Sequence, residues 1–247
     1  MQKLYQFFKY LIRNIISRKL IFKYEPVLRK LYSVFYLGNK YRCLICNKNL
    51  RSFIKYNKNH LCPNCGSGCR ERRLYQVLSE RFLLKNAKIL DFSPSRSYFR
   101  ELKKNPSITY QATDISGNFI PDFKFDITNI NSNDNSFDLI ICYHVLEHII
   151  DDKKAISELY RILKKKSYCL IQTPFKQGEI YEDYSIVSSE DRSKHFGQED
   201  HVRIYSVNGL KDRLVSQGFK VEIKTFNEKQ NNFYGFSNFE NILICKK

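Results

Sequence analysis

The order of apolar and amphipathic segments after residue 88 predicts an α/β domain: a doubly wound, mostly parallel sheet with helices on both faces. Two further observations place something smaller in front of it. Cys43, Cys46, Cys62 and Cys65 form a C-x2-C-x15-C-x2-C array. The excess of positive charge is also confined to the front: residues 1–88 carry 20 Lys/Arg against Glu25, Glu71 and Glu80, whereas residues 89–247 carry 22 of each sign. The expected organisation is a basic amphipathic helical segment over 1–36, a cysteine ribbon over 37–70, a linking helix over 71–88 and the sheet domain over 89–247.

Strands are expected at Lys88–Phe92, Thr109–Thr113, Phe123–Ile127, Phe137–Tyr143, Tyr168–Thr173, Val221–Phe226 and Asn241–Cys245, seven in all. Helices fall between them at Tyr98–Lys104, Lys153–Leu163 and Val207–Gln217, with the linking helix running from about Arg70 to Lys85.

In the front segment Leu4, Phe7, Phe8, Leu11, Ile12, Ile15 and Ile16 recur at helical spacing, with Lys3, Lys9, Arg13 and Arg18 around them. Such a stripe either packs on the sheet domain or lies on an anionic membrane face, where apolar insertion and Lys/Arg attraction add together. Its uncharged runs are too short for a secretory leader or a membrane span, so the expected location is cytoplasmic, with peripheral contact through residues 1–30 at the inner membrane face.

Two CxxC pairs joined by a short hairpin can present four thiolates as a tetrahedron, so Cys43, Cys46, Cys62 and Cys65 are expected to bind structural Zn2+. Free or redox-active thiols are the competing reading, and Cys69 could replace one ligand. Cys142, Cys169 and Cys245 lie in apolar runs and read as core residues.

Ligands of open α/β sheets bind beyond the carboxyl ends of the strands. Asp91 lies in the first strand before the turn Phe92-Ser93-Pro94-Ser95, Asp114 follows the second, and Asp126 ends the third. A carboxylate after the second strand can accept both hydroxyls of a ribose, so the three together point to a nucleoside site.

The segments ILDFSPS, ATDIS, KFDIT, FDLIICYHVLEHI and CLIQTPF resemble the successive motifs of class I S-adenosylmethionine-dependent methyltransferases, over roughly residues 88–247. The resemblance implies a Rossmann-like, seven-stranded sheet with the last strand antiparallel. It implies S-adenosylmethionine as cofactor, with Asp91, Phe92 and Ser93 near the methionine end, Asp114 and Ile115 at the ribose, Asp126 and Ile127 around adenine, and Cys142, Tyr143 and His144 lining the cleft. The usual glycine-rich turn is absent, since this chain reads DFSPSRS. A subgroup with a CPxC ribbon is similar in carrying proline there, and the missing GxGxxG argues against a nicotinamide dinucleotide.

His144-Val145-Leu146-Glu147-His148 also fits a zinc-protease pattern, HxxEH, but that pattern needs a helix displaying both imidazoles and a third ligand downstream, whereas here it begins at a strand end within the stretch that resembles the methyltransferases. The polar stretch between Phe175 and Tyr205 is expected to cap the acceptor site. His195, Asp200 and His201 are its candidate general bases, with Arg203 for orientation. That stretch holds seven acidic residues against Lys176, Arg192, Lys194 and Arg203, which disfavours a polyanion in the active site. The expected function is therefore O-methylation of a glycan or lipid-linked small acceptor near a membrane. The alternatives are an RNA methyltransferase that uses the ribbon and basic front to hold RNA, and a cofactor-degenerate binding module.

Overall fold

The computed structural model describes residues 18–56, 59–115, 121–228 and 232–247. The predicted stripe from Leu4 to Ile16 lies outside the described residues. Helix α1 (Arg18–Ser33) follows it. One side of α1 faces the body of the protein: Glu25 pairs with Arg29 and Arg96 at 2.9 Å and with Arg100 at 3.2 Å, and Phe22 packs edge-on against Phe99. The other side leaves Tyr24, Val27, Leu28 and Leu31 exposed.

Strand β1 (Leu37–Arg42) pairs antiparallel with β2 (Asn49–Leu50), and β3 (Ile54–Tyr56) pairs antiparallel with β4 (Asn59–Leu61). Each CxxC follows one arm of this ribbon and is closed by a backbone bond, Cys43 N–H to Lys48 O at 3.0 Å and Cys62 N–H to Ser67 O at 2.8 Å. Helix α2 (Cys69–Arg81) starts where the second knuckle ends, its first N–H capped by Asn59 Oδ1 at 2.9 Å. It stops four residues before the predicted Lys85, because Phe82 and Leu83 both donate to the carbonyl of Leu78 and close the last turn.

The ribbon does not stand apart from the sheet domain. Cys43, Ile45, Leu50, Phe53 and Cys62 share one buried cluster with Leu74, Val77 and Leu78 of α2 and with the sheet beneath. Arg72 secures the junction: it is fully buried and donates to the carbonyls of Ser67, His60, Tyr234 and Gly235, stacked 4.2 Å from the centre of Phe53.

The central sheet begins with β5 (Lys88–Phe92), followed by α3 (Arg96–Lys103), β6 (Thr109–Thr113), β7 (Phe137–Tyr143), α4 (Asp152–Ile162) and β8 (Leu163–Gln172). A cap follows, made of β9 (Phe175–Lys176), β10 (Tyr181–Glu182), α5 (Ser189–Phe196) and β11 (Arg203–Ser206), in which β11 lies between β10 and β9. Helix α6 (Val207–Ser216), β12 (Lys220–Asn227) and β13 (Phe239–Lys246) complete the described chain. The order across the large sheet is β12-β13-β8-β7-β5-β6. Strands β6, β5, β7 and β8 run parallel, and β13 is antiparallel to both its neighbours, as expected for the last strand.

Among the described residues the sheet has six strands, where seven were expected. The segment expected to form the third, Phe123–Ile127, touches β6 through a lone parallel bridge between Thr113 and Phe123. Local side chains take over its backbone: Phe125 N–H donates to Thr113 Oγ1 and Thr128 N–H to Asp126 Oδ1, both at 2.8 Å.

Side-chain alternation splits the core into two layers. Ile89, Leu139, Ile141, Leu170 and Ile242 face α2 and α3. Leu90, Ile140, Cys142, Ile171 and Leu243 face α4 and α6. Strand order reverses at β5, whose two neighbours are reached by crossovers in opposite directions, so a crevice opens above the carboxyl ends of β5 and β7. No helix among the described residues is long and apolar enough to cross a membrane.

Candidate active site

Two cavities, of about 340 and 490 Å3, lie at that crevice and share Arg70, Phe92, Ser93, Asp114 and Tyr143 as walls. They are two halves of one cleft, within the size range of small-molecule sites.

The inner half lies between the turn after β5 and the front of the protein. Asp91 and Tyr143 enter it because they continue the face of Ile89 and Ile141. Ser93 adopts the left-handed conformation that the missing glycine would supply, with φ of 53°, and its hydroxyl donates to Asp114 Oδ1 at 3.1 Å. Asp91 is almost fully buried and accepts one bond, from Tyr110 OH at 2.8 Å. Burial pushes its carboxyl up to about 8, opposed by that hydrogen bond.

The opposite wall of this half comes from elements that carry no sheet motif: Glu25 and Arg29 of α1, Cys65 and Gly66 of the second knuckle, and Arg70 and Glu71 of α2. Glu71 Oε2, Tyr98 OH and Tyr143 OH are buried and have no hydrogen-bond partner among the described residues. These three unpaired atoms thus share the space with groups already paired across it, among them Glu25 with Arg29 and Arg96, and Ser93 with Asp114.

The outer half is more apolar, with Ile115, Phe125, Ile127, Val145 and Ile149 beside Asp126 and His144. His144 also sits left-handed, with φ of 55°. Nine of the ten residues expected to bind cofactor therefore line one half or the other. Cys142 does not: period-two alternation turns its side chain into the layer under α4, where it has no exposed surface.

The three candidate bases are dispersed. Asp200 lines the outer half and pairs with His148 Nδ1 at 3.2 Å. His201 is buried behind His148, with Nδ1 3.2 Å from the carbonyl of Phe196. His195 is exposed on α5, where its Nδ1 meets Tyr181 OH at 2.7 Å, and it lines neither half. Arg203, expected to orient an acceptor, is fully buried and donates to Glu182 at 2.9 Å and to the carbonyls of Ile149 and Ile150.

In the ribbon the sulfurs of Cys43 and Cys65, and those of Cys46 and Cys62, are 3.7 Å apart. All four lie within 4.8 Å of one another, a set of donors able to hold one metal ion. Cys69 stands outside it, its sulfur accepting from His60 N–H at 3.2 Å.

A family profile described as "Methyltransferase domain" matches residues 68–223, well over half of the chain. The chain belongs to the methyltransferase-domain family. It is similar to a SAM-dependent methyltransferase from Archaeoglobus fulgidus, with a TM-score of 0.52 at 19% identity over 72% of this chain and 93% of that one. A second, from Mesorhizobium loti, gives 0.52 at 11% identity over 70% and 96%. At such identities these likenesses speak for the fold alone. An uncharacterised protein of Methanocaldococcus jannaschii is 32% identical over 129 residues, 48% of this chain, and the match spans about half of that relative, 56% of its length.

The methyltransferase family uses S-adenosylmethionine, and the cleft residues fit that cofactor. Its amino-acid end carries an ammonium and a carboxylate, which match Asp91 and Glu71 on one hand and Arg70 on the other. Its ribose matches Asp114, and its adenine the apolar walls around Ile127. The matched profile begins at residue 68, so Glu25, Arg29, Cys65 and Gly66 lie before it. Sequence reading missed them because nothing in a ribbon's spacing tells which surface it will pack against.

The buried Asp91 makes stability depend on pH. An unfolded carboxyl titrates near 3.8 and the folded one near 8, so the folded form is favoured most below the lower value. Stability is then lost as pH rises through the interval and levels off above about 8. Asp91→Asn, which keeps the acceptor for Tyr110, should stabilise the ligand-free protein by roughly 2–5 kcal/mol at pH 8.5 and much less at pH 5. Urea unfolding at both pH values measures this, and equal gains would show that Asp91 is not the group responsible.

Proposed function

We propose that this methyltransferase O-methylates a hydroxyl of a glycan or small lipid-linked acceptor, working close to a membrane face. The observation that carries this reading is a row of polar groups at the ends of neighbouring strands. Tyr143 OH, Gln172 Oε1, Thr173 Oγ1 and both carboxylate oxygens of Glu240 are buried without a hydrogen-bond partner among the described residues. Burial pushes Glu240 up to about 7, with Arg73 opposing. Leaving such groups unpaired costs about 1–3 kcal/mol each, and a hydroxyl-rich acceptor that reached them past Tyr143, the member that lines the cleft, would recover that cost.

S-adenosylmethionine, when bound, supplies a methyl group already activated on a sulfonium. The residues of the chain are left with alignment and with exclusion of water. Asp114 and Ser93 position the nucleoside, and Asp91, Glu71 and Arg70 anchor the amino-acid end. The acidic cap supports an uncharged or cationic acceptor over a polyanion. The exposed Tyr24, Val27, Leu28 and Leu31 of α1, in a front segment rich in Lys and Arg, support contact with an anionic membrane.

We further propose that the four-thiol cluster binds structural zinc. With Zn–S bonds of about 2.3 Å, a tetrahedron has sulfur–sulfur edges of about 3.8 Å, close to the 3.7 Å of the two measured pairs. The ion holds the knuckle that carries Cys65 and Gly66 against the cleft.

Three outcomes are expected. Calorimetry should find S-adenosylmethionine binding, weakened by about 1–3 kcal/mol in Asp114→Ala, where the ribose hydroxyls lose their acceptor; unchanged affinity would refute the ribose assignment. Labelled methyl groups should enter glycan or lipid fractions of cell extract, and the protein should float with anionic vesicles. Label in RNA instead would replace the acceptor proposal. Metal analysis of purified protein should find zinc at the ribbon, and a strong chelator should lower the melting temperature; a metal-free protein with an unaltered melt would remove the zinc reading.

A further inference from the structure

At the outer rim of the cleft, three metal-ligating side chains meet from two distant parts of the chain. After β7 the backbone passes through left-handed His144 into a 3-10 turn, Leu146–His148, that sends Glu147 inward and His148 toward the cavity. His201 arrives from the cap, and its approach is fixed by the backbone: Val202 N–H donates to the carbonyl of Glu147 at 2.9 Å. Glu147, His148 and His201 each offer a ligand atom, and these atoms lie within 4.8 Å of one another.

We infer that Glu147, His148 and His201 form a site for a divalent transition-metal cation, separate from the cysteine ribbon and open to the outer half of the cleft.

The orientation of the two imidazoles supports this. His201 Nδ1 lies 3.2 Å from the carbonyl of Phe196, an acceptor only, so that nitrogen carries the proton and Nε2 keeps a lone pair. His148 Nδ1 lies 3.2 Å from the carboxylate of Asp200, which imposes the same tautomer. An acceptor behind each imidazole is the arrangement that orients metal-bound histidines and raises their basicity.

Glu147 supplies the independent observation. It is 1% exposed, and Oε2 has no hydrogen-bond partner among the described residues. Its other oxygen lies 3.2 Å from His144 Nδ1. A carboxylate so deeply buried needs a positive partner, and a cation between Glu147 and the two imidazoles provides one.

Ligand bonds of about 2.0–2.2 Å require donor separations of roughly 3–4 Å, so closing the site takes side-chain shifts of about 1 Å. Two imidazoles with one carboxylate favour Mn2+, Fe2+, Co2+ or Zn2+ over Mg2+ or Ca2+. Glu147 and His201 close the protein side, while His148 is partly exposed at the cavity. A cation held there beside His148 would be within reach of the cleft, where it would make the hydroxyl of an acceptor bound to it more acidic. That last role rests on the methyl-transfer reading; the metal site does not.

The test uses the full chain with its ribbon loaded and no S-adenosylmethionine present. Mn2+ alone is titrated in, and the free ion is followed by electron paramagnetic resonance. The inference expects saturable binding that weakens at least about tenfold in Glu147→Gln and in His148→Ala, and that is unaffected by Glu190→Gln on the exposed side of α5. Glu147→Gln keeps the shape of the buried side chain, and His148→Ala decides the matter at a partly exposed position if the first variant fails to fold. Absence of binding up to millimolar Mn2+, or equal binding by wild type and variants, would overturn the site and leave these residues as a brace for the turn.

Discussion

The architecture depends on one buried cation. Arg72 has no exposed surface and, among the described residues, no carboxylate partner; its guanidinium is satisfied by carbonyls from the ribbon and from the loop before β13. A desolvated charge held this way tolerates little displacement, because each lost carbonyl leaves a buried donor unpaired. Ribbon, α2 and the end of the sheet are therefore fixed relative to one another. Everything assigned to the inner half of the cleft follows from that placement, since its two walls belong to different ends of the sequence.

Charge is handled differently at each edge of the cleft. Glu25 is surrounded by Arg29, Arg96 and Arg100, and its carboxyl is held down at about 2 despite the opposing effect of burial. Asp91, a short way inside, has no cation beside it among the described residues and is pushed the other way. A carboxylate serves as a structural clasp where arginines surround it and as a waiting acceptor where they do not. The cap has its own clasp: Arg203 and Arg213 share Glu182 and Asp152, which ties β10 and β11 to the start of α4.

Much of this was legible in the sequence. The apolar runs located six strands because burial on both faces leaves little else for such a run to do. Asp91, Ser93, Asp114 and Asp126 were legible as residues of the crevice because strand ends are where such sheets open one. Phe123–Ile127 misled because its composition is strand-like while Asp126 and Thr113 capture its backbone, a competition that composition does not record. Cys142 misled through parity: its neighbours on either side in β7 face the other layer. His201 was singled out as a base, yet its position behind His148 depends on a contact across more than fifty residues that no local pattern carries.

Ser93 and His144, at the ends of adjacent parallel strands, both occupy a backbone region that is uncommon outside glycine, less so for asparagine, aspartate and histidine, and a true outlier for β-branched side chains. Drift in this lineage would accordingly be channelled at these two lips: toward small or amide residues with little disturbance, and away from valine, isoleucine or threonine even where their volume would fit. The rim would stay evolutionarily stiff for a reason that precedes any chemistry performed there.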